Sequence, residues 1–460
     1  MKRFITSLIG LITIATTLAS EKPNIIIIFA DDLGYGDLGC YGSKKNPTPA
    51  LDQMAAEGFR ATDLNVPANV CSPSRSSLLT GRYPMRNGHP IYRANYYAKK
   101  NGYYALHPDE ITLAELLKPA GYHSFAVGKW HLGFNTKGSH PMDVGFDQYW
   151  GLPHNYGGKD LKTSRCLVRN REVKAKNVQF AKVTPTYNRE VVQFINEHPK
   201  GKPFFIYLAH QIAHSPIIPS SKFKGITKNG KYADFIHELD DSVKQVLDAL
   251  RANDIDKNTL VIFLADNGHT WAGSGGPLSG GKYTTMEGGH RVAGIFRWPS
   301  TIPAGQVSDT TISSMDLFPL LADLAGVPLP QDRKIDGKNI RDILMGESNQ
   351  SKHEFLYYYN AHTLQAVRKG KWKLHLPRTK LQQPYWGKAG KGHFFMTLAH
   401  PFLVNLEKDI AEKTNVADAH PDIVTMLQAE AQKIQNELGD FKKQGRDQRP
   451  GWPAEEMKYE

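Results

Sequence analysis

Four short apolar runs punctuate this chain, and each stops at a cluster of polar or ionisable residues. The runs are Asn24–Ala30 (NIIIIFA), Ser124–Gly128 (SFAVG), Phe204–Ala209 (FFIYLA) and Thr259–Ala265 (TLVIFLA). They are β-branched or aromatic and lack polar alternation, so they read as strands of a parallel sheet covered on both faces. Amphipathic segments lie between them; in Asp234–Leu250, Phe235, Leu239, Val243, Val246, Leu247 and Leu250 recur at helical spacing. Alternating strands and helices predict an α/β fold with a large, mostly parallel mixed sheet sandwiched by helices. Asp31 and Asp32 follow the first run, Lys129 and His131 the second, His210 and His214 the third, Asp266 and Asn267 the fourth. Ligands bind at the carboxyl ends of strands in such sheets. One edge of this sheet is therefore predicted to hold an active site.

The flanks read differently. Lys2 and Arg3, the apolar stretch Phe4–Leu18 and a small-residue site at Thr17-Leu18-Ala19 make residues 1–20 a signal peptide. That stretch is too short for a membrane span, and no other segment is apolar enough for one. The mature protein is predicted to be exported, either periplasmic or secreted. After residue 345, Phe355–Tyr359, Leu364–Arg368 and Trp372–Leu376 read as short antiparallel strands, and Pro421–Leu438 as a helix with Ile423, Leu427, Ile434 and Leu438 on one stripe. This divides the mature chain into a catalytic domain, 21–345, and a smaller C-terminal α+β domain with an antiparallel sheet, 346–445. A polar tail, 446–460, follows and is expected to be loose from Lys442 onward.

The net charge of +12 fits an anionic partner, and nucleic acid, acidic glycan and anionic surface all qualify. The charge is dispersed apart from Arg368, Lys369, Lys371 and Lys373, and from Lys442 and Lys443. Three cysteines in an exported chain do not make a disulfide scaffold. If Cys71 has a chemical task, Cys40 and Cys166 either pair or stay buried and free. Gly34-Tyr-Gly-Asp-Leu-Gly39 matches a dinucleotide-binding spacing, but Asp31 and Asp32 intervene after the strand and a poor helix sequence follows, so that reading is set aside.

The chemistry concentrates around Cys71-Ser-Pro-Ser-Arg75. Pro73 suits the first turn of a helix and Gly81 its end, which puts Cys71 at the N-terminus, where backbone N–H groups and the helix dipole favour anions. Arg75 lies on the same face and can fork to an oxyanion. Cys71-x-Pro-x-Arg75 followed by Leu79-Thr-Gly-Arg82 resembles the signature of the formylglycine-dependent sulfatases of the alkaline phosphatase superfamily. Asp31-Asp32, Gly128-Lys-Trp-His-Leu-Gly133, His214-x-Pro216, Asp266-Asn-Gly268, Gly281-Lys282, Glu287-Gly-Gly289 and Arg291 continue the resemblance in order, as do Ser314–Pro319 and Asp336-Gly337. It covers most of residues 22–340, with echoes at Asn405-Leu406 and Asp409.

The resemblance implies that a separate maturation enzyme oxidises Cys71 to formylglycine. One hydroxyl of its hydrate attacks sulfur to form a covalent sulfo-enzyme, and the other then loses its proton and expels sulfate. Asp31, Asp32, Asp266 and Asn267, with residue 71, are the implied ligands of Ca²⁺, a hard cation that takes oxygen donors. Arg75, Lys129 and Lys282 are implied to clamp the anion. His131 is implied as the base that collapses the sulfated hydrate, and His214 as the group that protonates or orients the leaving oxygen. Wording such as Arg86-Asn-Gly88 and Asp332-Arg-x-Ile-Asp-Gly337 is similar to N-acetylgalactosamine-6-sulfatases and arylsulfatase-A-like relatives. The implied substrate is a sulfated glycan, with no nucleic-acid partner.

Taken singly, each residue also has a plainer reading. Asp266-Asn-Gly is an ordinary turn signal, Lys129 and Lys282 could be solvated lysines, and His131 could pack beside Trp130. His210 reads equally as structural or substrate-facing, and His269 and His290 as pocket-lining. Two rival functions share the composition: a phosphate or phosphonate monoester hydrolase of the same superfamily, and a non-catalytic binder of sulfated glycans. Substrate selection is expected in the loops Arg93–His107 and Pro141–Val173.

Overall fold

The structure is a computed structural model that describes residues 22–91, 103–134, 136–156, 165–379, 397–441 and 443–454. The signal-peptide reading of residues 1–20, and parts of both expected selection loops, lie outside the described residues.

Seventeen strands are described. The first twelve are β1 (Asn24–Ala30), β2 (Phe59–Asn65), β3 (Tyr103–Ala105), β4 (His123–Lys129), β5 (Gln148–Leu152), β6 (Leu167–Arg169), β7 (Glu172–Ala175), β8 (Phe204–Ala209), β9 (Thr259–Ala265), β10 (Arg291–Arg297), β11 (Gln306–Ser308) and β12 (Ile312–Ser313). The rest are β13 (Leu356–Asn360), β14 (Thr363–Lys369), β15 (Trp372–His375), β16 (Phe402–Asn405) and β17 (Trp452–Ala454). The large sheet has eleven strands in the order β11-β2-β10-β9-β1-β8-β4-β5-β6-β7, with β12 also on β2. Its centre is parallel: β1 pairs with β8 and β9, and β4 with β8 and β5. Antiparallel β10, β6 and β7 make the sheet mixed. The apolar runs β1, β8 and β9 are buried throughout, which removes any need for polar alternation.

Because β1, β4, β8 and β9 are parallel neighbours, their carboxyl ends open on one edge. The predicted amphipathic helix extends over Lys231–Ala252, and its inner face buries Phe235, Leu239, Val243, Val246 and Leu250. Gly128 adopts φ +109, and a Cβ there would lie 2.0 Å from the Ala209 carbonyl oxygen. Only glycine lets β4 approach β8 this closely just before Lys129.

The second sheet has the antiparallel order β13-β14-β15-β16. The helix Pro421–Leu438 covers it with Leu427, Ala431, Ile434 and Leu438, and this cluster also takes in Tyr83, Met85 and Met315 from the larger part. The seam between the sheets is ionic as well as apolar. Lys373 Nζ lies 2.9 Å from both Glu287 Oε1 and Glu412 Oε1. Arg368 reaches Asp63 at 2.6 Å and Glu287 at 3.3 Å, and Arg291 reaches Asp63 at 3.4 Å. The basic cluster read from sequence therefore splits. Lys373 and Arg368 are buried in this network, whereas Lys369 and Lys371 are surface residues paired with Glu354 and Glu407.

The tail differs from the loose segment expected. Residues 443–454 return to the larger part, where β17 pairs antiparallel with β3 and Arg449 reaches Glu110 at 3.0 Å. A polar sequence conceals this because the pairing partners lie more than three hundred residues upstream. No disulfide joins Cys40 and Cys166.

Candidate active site

The carboxyl edge of the parallel strands gathers the predicted residues. Asp31 and Asp32 leave β1, with Asp32 in the left-handed region at φ 59. Asp266 and Asn267 leave β9 beside them, and Asp266 Oδ1 accepts from the Asp32 backbone N–H at 3.1 Å. Lys129 ends β4 and its Nζ donates to Asp31 Oδ2 at 2.6 Å. Lys282 donates to Asp32 Oδ1 at 2.6 Å, as does Asn267 Nδ2 at 2.8 Å. All these side chains are buried.

The helix Cys71–Thr80 points its N-terminus into this group and ends at Gly81 in the left-handed region, as its sequence requires. Donor atoms of Asp31, Cys71 and Asp266 lie within 4.8 Å of one another. Arg75, expected to grip a substrate oxyanion, has its guanidinium forked onto Asp266 Oδ2, at 3.0 and 2.7 Å, with a third bond to the Lys129 carbonyl at 3.2 Å. It thus holds the carboxylate that borders Cys71.

The two predicted histidines flank the centre. His131 Nδ1 lies 3.4 Å from Cys71 Sγ. His214 Nε2 lies 3.7 Å from Asp32 Oδ2, while its Nδ1 is 2.6 Å from the Ser215 carbonyl oxygen. A carbonyl only accepts, so Nδ1 carries a proton and Nε2 faces the carboxylates. His210 is drawn away: its Nε2 meets Ser242 Oγ at 3.0 Å, and its ring lies beside Tyr187 under the helix. Its role is structural. His290 faces Tyr358 and the Val66 carbonyl at the seam between the sheets, so it does not line the pocket.

Electrostatics follow from burial and crowding. Burial raises the Asp31 carboxyl, but Lys129, His214, Arg75 and Lys282 outweigh it and hold it well below its ordinary value. Burial and the Asp31 charge push Asp266 up to about 7, against Arg75 and Lys129. Burial keeps His131 well below its ordinary value, reinforced by Lys129, and lowers His214 against the pull of Asp32 and Asp31. Burial also raises the Cys71 thiol, more than Lys129 and Lys282 lower it. A thiol so placed stays protonated at neutral pH and is a poor nucleophile as it stands.

The donor set suits a hard cation. Asp31 Oδ1, Asp32 Oδ2 and Asn267 Oδ1 are buried and have no hydrogen-bond partner. Three orphaned oxygens on three neighbouring residues are costly unless something positive takes them. Oxygen-only donors of this kind are what Ca²⁺ coordinates. Three carboxylates face three cations here, so a bound divalent ion would leave a net positive site, which attracts an anionic ester.

Sequence reading passed over Ser72 and His89. Ser72 Oγ donates to the His131 carbonyl at 2.6 Å and lies 2.7 Å from His89 Nε2. Together they brace His131 at φ 60, a conformation β-carbon sterics disfavour. Ser72 stands inside the quoted motif, but nothing in local spacing links it to His89. The glycine-rich Gly34–Gly39 stretch also gains an account. Gly36 N–H donates to the Ser274 carbonyl at 2.9 Å, and a Cβ on Gly36 would lie 2.6 Å from Gly276 N. It is a packing surface for the loop between Asn267 and Lys282.

Known proteins resemble this chain over most of its length. Residues 23–327 match the sulfatase family model, and residues 351–453 match that for the C-terminal region of aryl-sulfatase. The chain is 39% identical over 386 residues to N-acetylgalactosamine-6-sulfatase of Mus musculus, covering 78% of this chain and 72% of that one. A solved Bacteroides thetaiotaomicron protein, from work on the metabolism of multiple glycosaminoglycans, superimposes with TM-score 0.81 at 28% identity, covering 91% of this chain and all of that one. Ps i-CgsB, solved in complex with k-i-k-neocarrahexaose, superimposes with TM-score 0.79 at 29% identity, covering 94% of this chain and 95% of that one.

Proposed function

The chain belongs to the sulfatase family, and from that premise we propose that it hydrolyses sulfate esters of a carbohydrate, using an aldehyde made from Cys71 and a calcium ion. The observation that carries the reading is the position of Cys71. It sits at a helix N-terminus, within 4.8 Å of two carboxylates, as a thiol too raised to act unmodified. The hydrated aldehyde would supply a hydroxyl nucleophile and a second hydroxyl whose deprotonation frees the enzyme. Calcium, held by Asp31, Asp32, Asp266 and Asn267 beside residue 71, would supply charge neutralisation at the sulfate oxygens.

The chain's own residues divide the remaining work. Lys129 and Lys282 sit on the carboxylates at 2.6 Å and offer an arriving sulfate fixed positive charges. Arg75 keeps Asp266 in place. His131, neutral because it is buried, accepts a proton at Nδ1 next to residue 71. His214 already carries a proton on Nδ1, so it donates from Nε2 to a leaving oxygen only as the imidazolium, a form that burial opposes and Asp32 at 3.7 Å favours. Two separate sheets support dividing the chain at about residue 345 into a catalytic and a C-terminal domain. We also infer export through residues 1–20 and encounter with a maturation enzyme that oxidises Cys71. Among the described residues no helix is long and apolar enough to cross a membrane.

Carbohydrate is preferred as the substrate because relatives carry it in their names or complexes: an N-acetylgalactosamine sulfatase and a neocarrahexaose complex. The test compares 4-nitrophenyl sulfate with 4-nitrophenyl phosphate, then follows sulfate release from chondroitin 6-sulfate and carrageenan oligosaccharides. Sulfate release from an oligosaccharide, with phosphate turnover far weaker, is the expected result. Preferential phosphate release would move the chain to the phosphate or phosphonate monoester hydrolases. Glycan binding without sulfate release would make it a binding protein.

A further inference from the structure

Among the described residues four large apolar side chains stand open to solvent: Ile218 at 44% exposure, Ile226 at 53%, Val307 at 59% and Trp271 at 73%. An indole carries the largest apolar surface of any side chain and is rarely left this open without a contact to make. Trp271 is also placed where a contact would matter. It lies four residues after Asn267, so its backbone is at most about 14 Å from that residue. The loop that carries it returns to the site at Lys282.

This loop is fixed. Lys282 N–H donates to the His269 carbonyl at 2.9 Å, and Ser274 N–H to Asp37 Oδ1 at 3.0 Å. Asp37 is itself held by Tyr232 Oη at 2.6 Å, and Gly36 closes against Ser274 as described above. The indole is therefore presented on a braced turn. Ile218 lies four residues after His214 in the loop that follows β8, and β8 and β9 flank β1 on either side. Two exposed apolar residues thus lie in the two loops that leave the strands on either side of β1.

The chemistry of the pair complements that of the pocket. An aromatic face carries negative charge density, so it repels a sulfate and attracts the C–H-bearing face of a sugar ring. Lys129 and Lys282 do the reverse. We propose that Trp271 is a stacking platform for a pyranose ring next to the sulfated one, with Ile218 as the opposite rim, so that the enzyme acts on sulfate within an oligosaccharide. This rests on the sulfatase reading above and names which part of the substrate the loop reads.

The experiment uses the full chain, matured at residue 71, as wild type, Trp271→Ala and Trp271→Phe. Each is assayed on 4-nitrophenyl sulfate and on chondroitin 6-sulfate and carrageenan hexasaccharides, taking the hexasaccharide the wild type cleaves best. Trp271→Ala should lose about ten-fold more kcat/KM on the hexasaccharide than on 4-nitrophenyl sulfate, mostly through KM, as expected for one lost aromatic contact. Trp271→Phe should restore most of the difference. Equal losses on both substrates, or no loss on the hexasaccharide, would overturn the proposal. So would a wild type that cleaves 4-nitrophenyl sulfate but no hexasaccharide, and so would a change in oligomeric state in Trp271→Ala, which would make the indole a protein contact. A wild type that releases sulfate from no ester at all would instead overturn the sulfatase reading itself.

Discussion

Replacing Lys373 with methionine should strip the seam between the two sheets of its central charge. Lys373 Nζ is fully buried, 2.9 Å from Glu287 and 2.9 Å from Glu412, and 4.0 Å above the Tyr358 ring. The network contains three cations, Lys373, Arg368 and Arg291, and three anions, Asp63, Glu287 and Glu412. His375, bonded to Glu412 at 2.8 Å, is held neutral because burial pushes it down to about 4. Methionine fills most of the volume but leaves one anion in excess away from water. Removing one partner of a buried pair costs about 3–5 kcal/mol, a large share of the total stability of a typical domain. Glu412→Gln in the same chain restores the balance at two and two, so Lys373→Met/Glu412→Gln should recover a substantial part of the loss. Urea unfolding followed by tryptophan fluorescence reads both effects as shifts in midpoint. A single variant within about 1 kcal/mol of wild type, or a double variant no better than the single, would refute charge balance as the cause.

Acid should destabilise the protein earlier than its carboxylates alone would dictate. Burial pushes His89 and His290 down to about 4 and His210 down to about 3, from an ordinary 6.5. Their folded values lie below the unfolded ones, so their contribution is complete above about pH 6.5 and is lost as pH falls toward 4. Glu412, driven down to about 2 as Lys373 and His375 outweigh burial, adds a second loss below about pH 4.5. Urea midpoints from pH 7.5 to 4 should fall from near 6.5, with a shallower slope in His210→Gln; a flat profile down to 4.5 would contradict this. Calcium should also act as a stabiliser independently of turnover. At a hundred times its Kd it adds about 2.7 kcal/mol to the folded state, and Asn267→Ala should reduce that shift. A melting temperature indifferent to calcium and chelator would remove the proposed ion.

The strands around the site were legible because they are buried on both faces. An uninterrupted run such as Ile25–Ile28 has few alternatives in a chain of this kind, and the residues after it are placed by topology. β2 and β7 were not legible for the opposite reason. Phe59–Asn65 mixes buried with partly exposed positions and carries Arg60 and Asp63, while Glu172–Ala175 has no buried position and carries Lys174, so no apolar run marks either. The helix Pro421–Leu438 showed its stripe, whereas the tail pairs with β3 and brings Arg449 to Glu110, contacts no local pattern encodes.

The site divides in the same way. Cys71, Asp31, Asp32, Lys129, His131, His214, Asp266, Asn267 and Lys282 announce themselves by falling at strand ends or inside a motif. What each one touches was not readable. Arg75 engages Asp266, and Glu287, although inside a quoted motif, binds Lys373 and Arg368 at the seam rather than the pocket. His89 becomes relevant only because Ser72 links it to the His131 carbonyl. Spacing in sequence reports which residues reach an edge, and packing decides which of them meet.

The account depends most directly on the chemical state of residue 71. The decisive measurement is the mass of the peptide that contains it, from protein produced together with a maturation enzyme and assayed in parallel for sulfate release. An aldehyde in place of the thiol, captured by a hydrazide and present in proportion to activity, is the predicted result. An intact Cys71 thiol in protein that still releases sulfate would contradict the account at its centre.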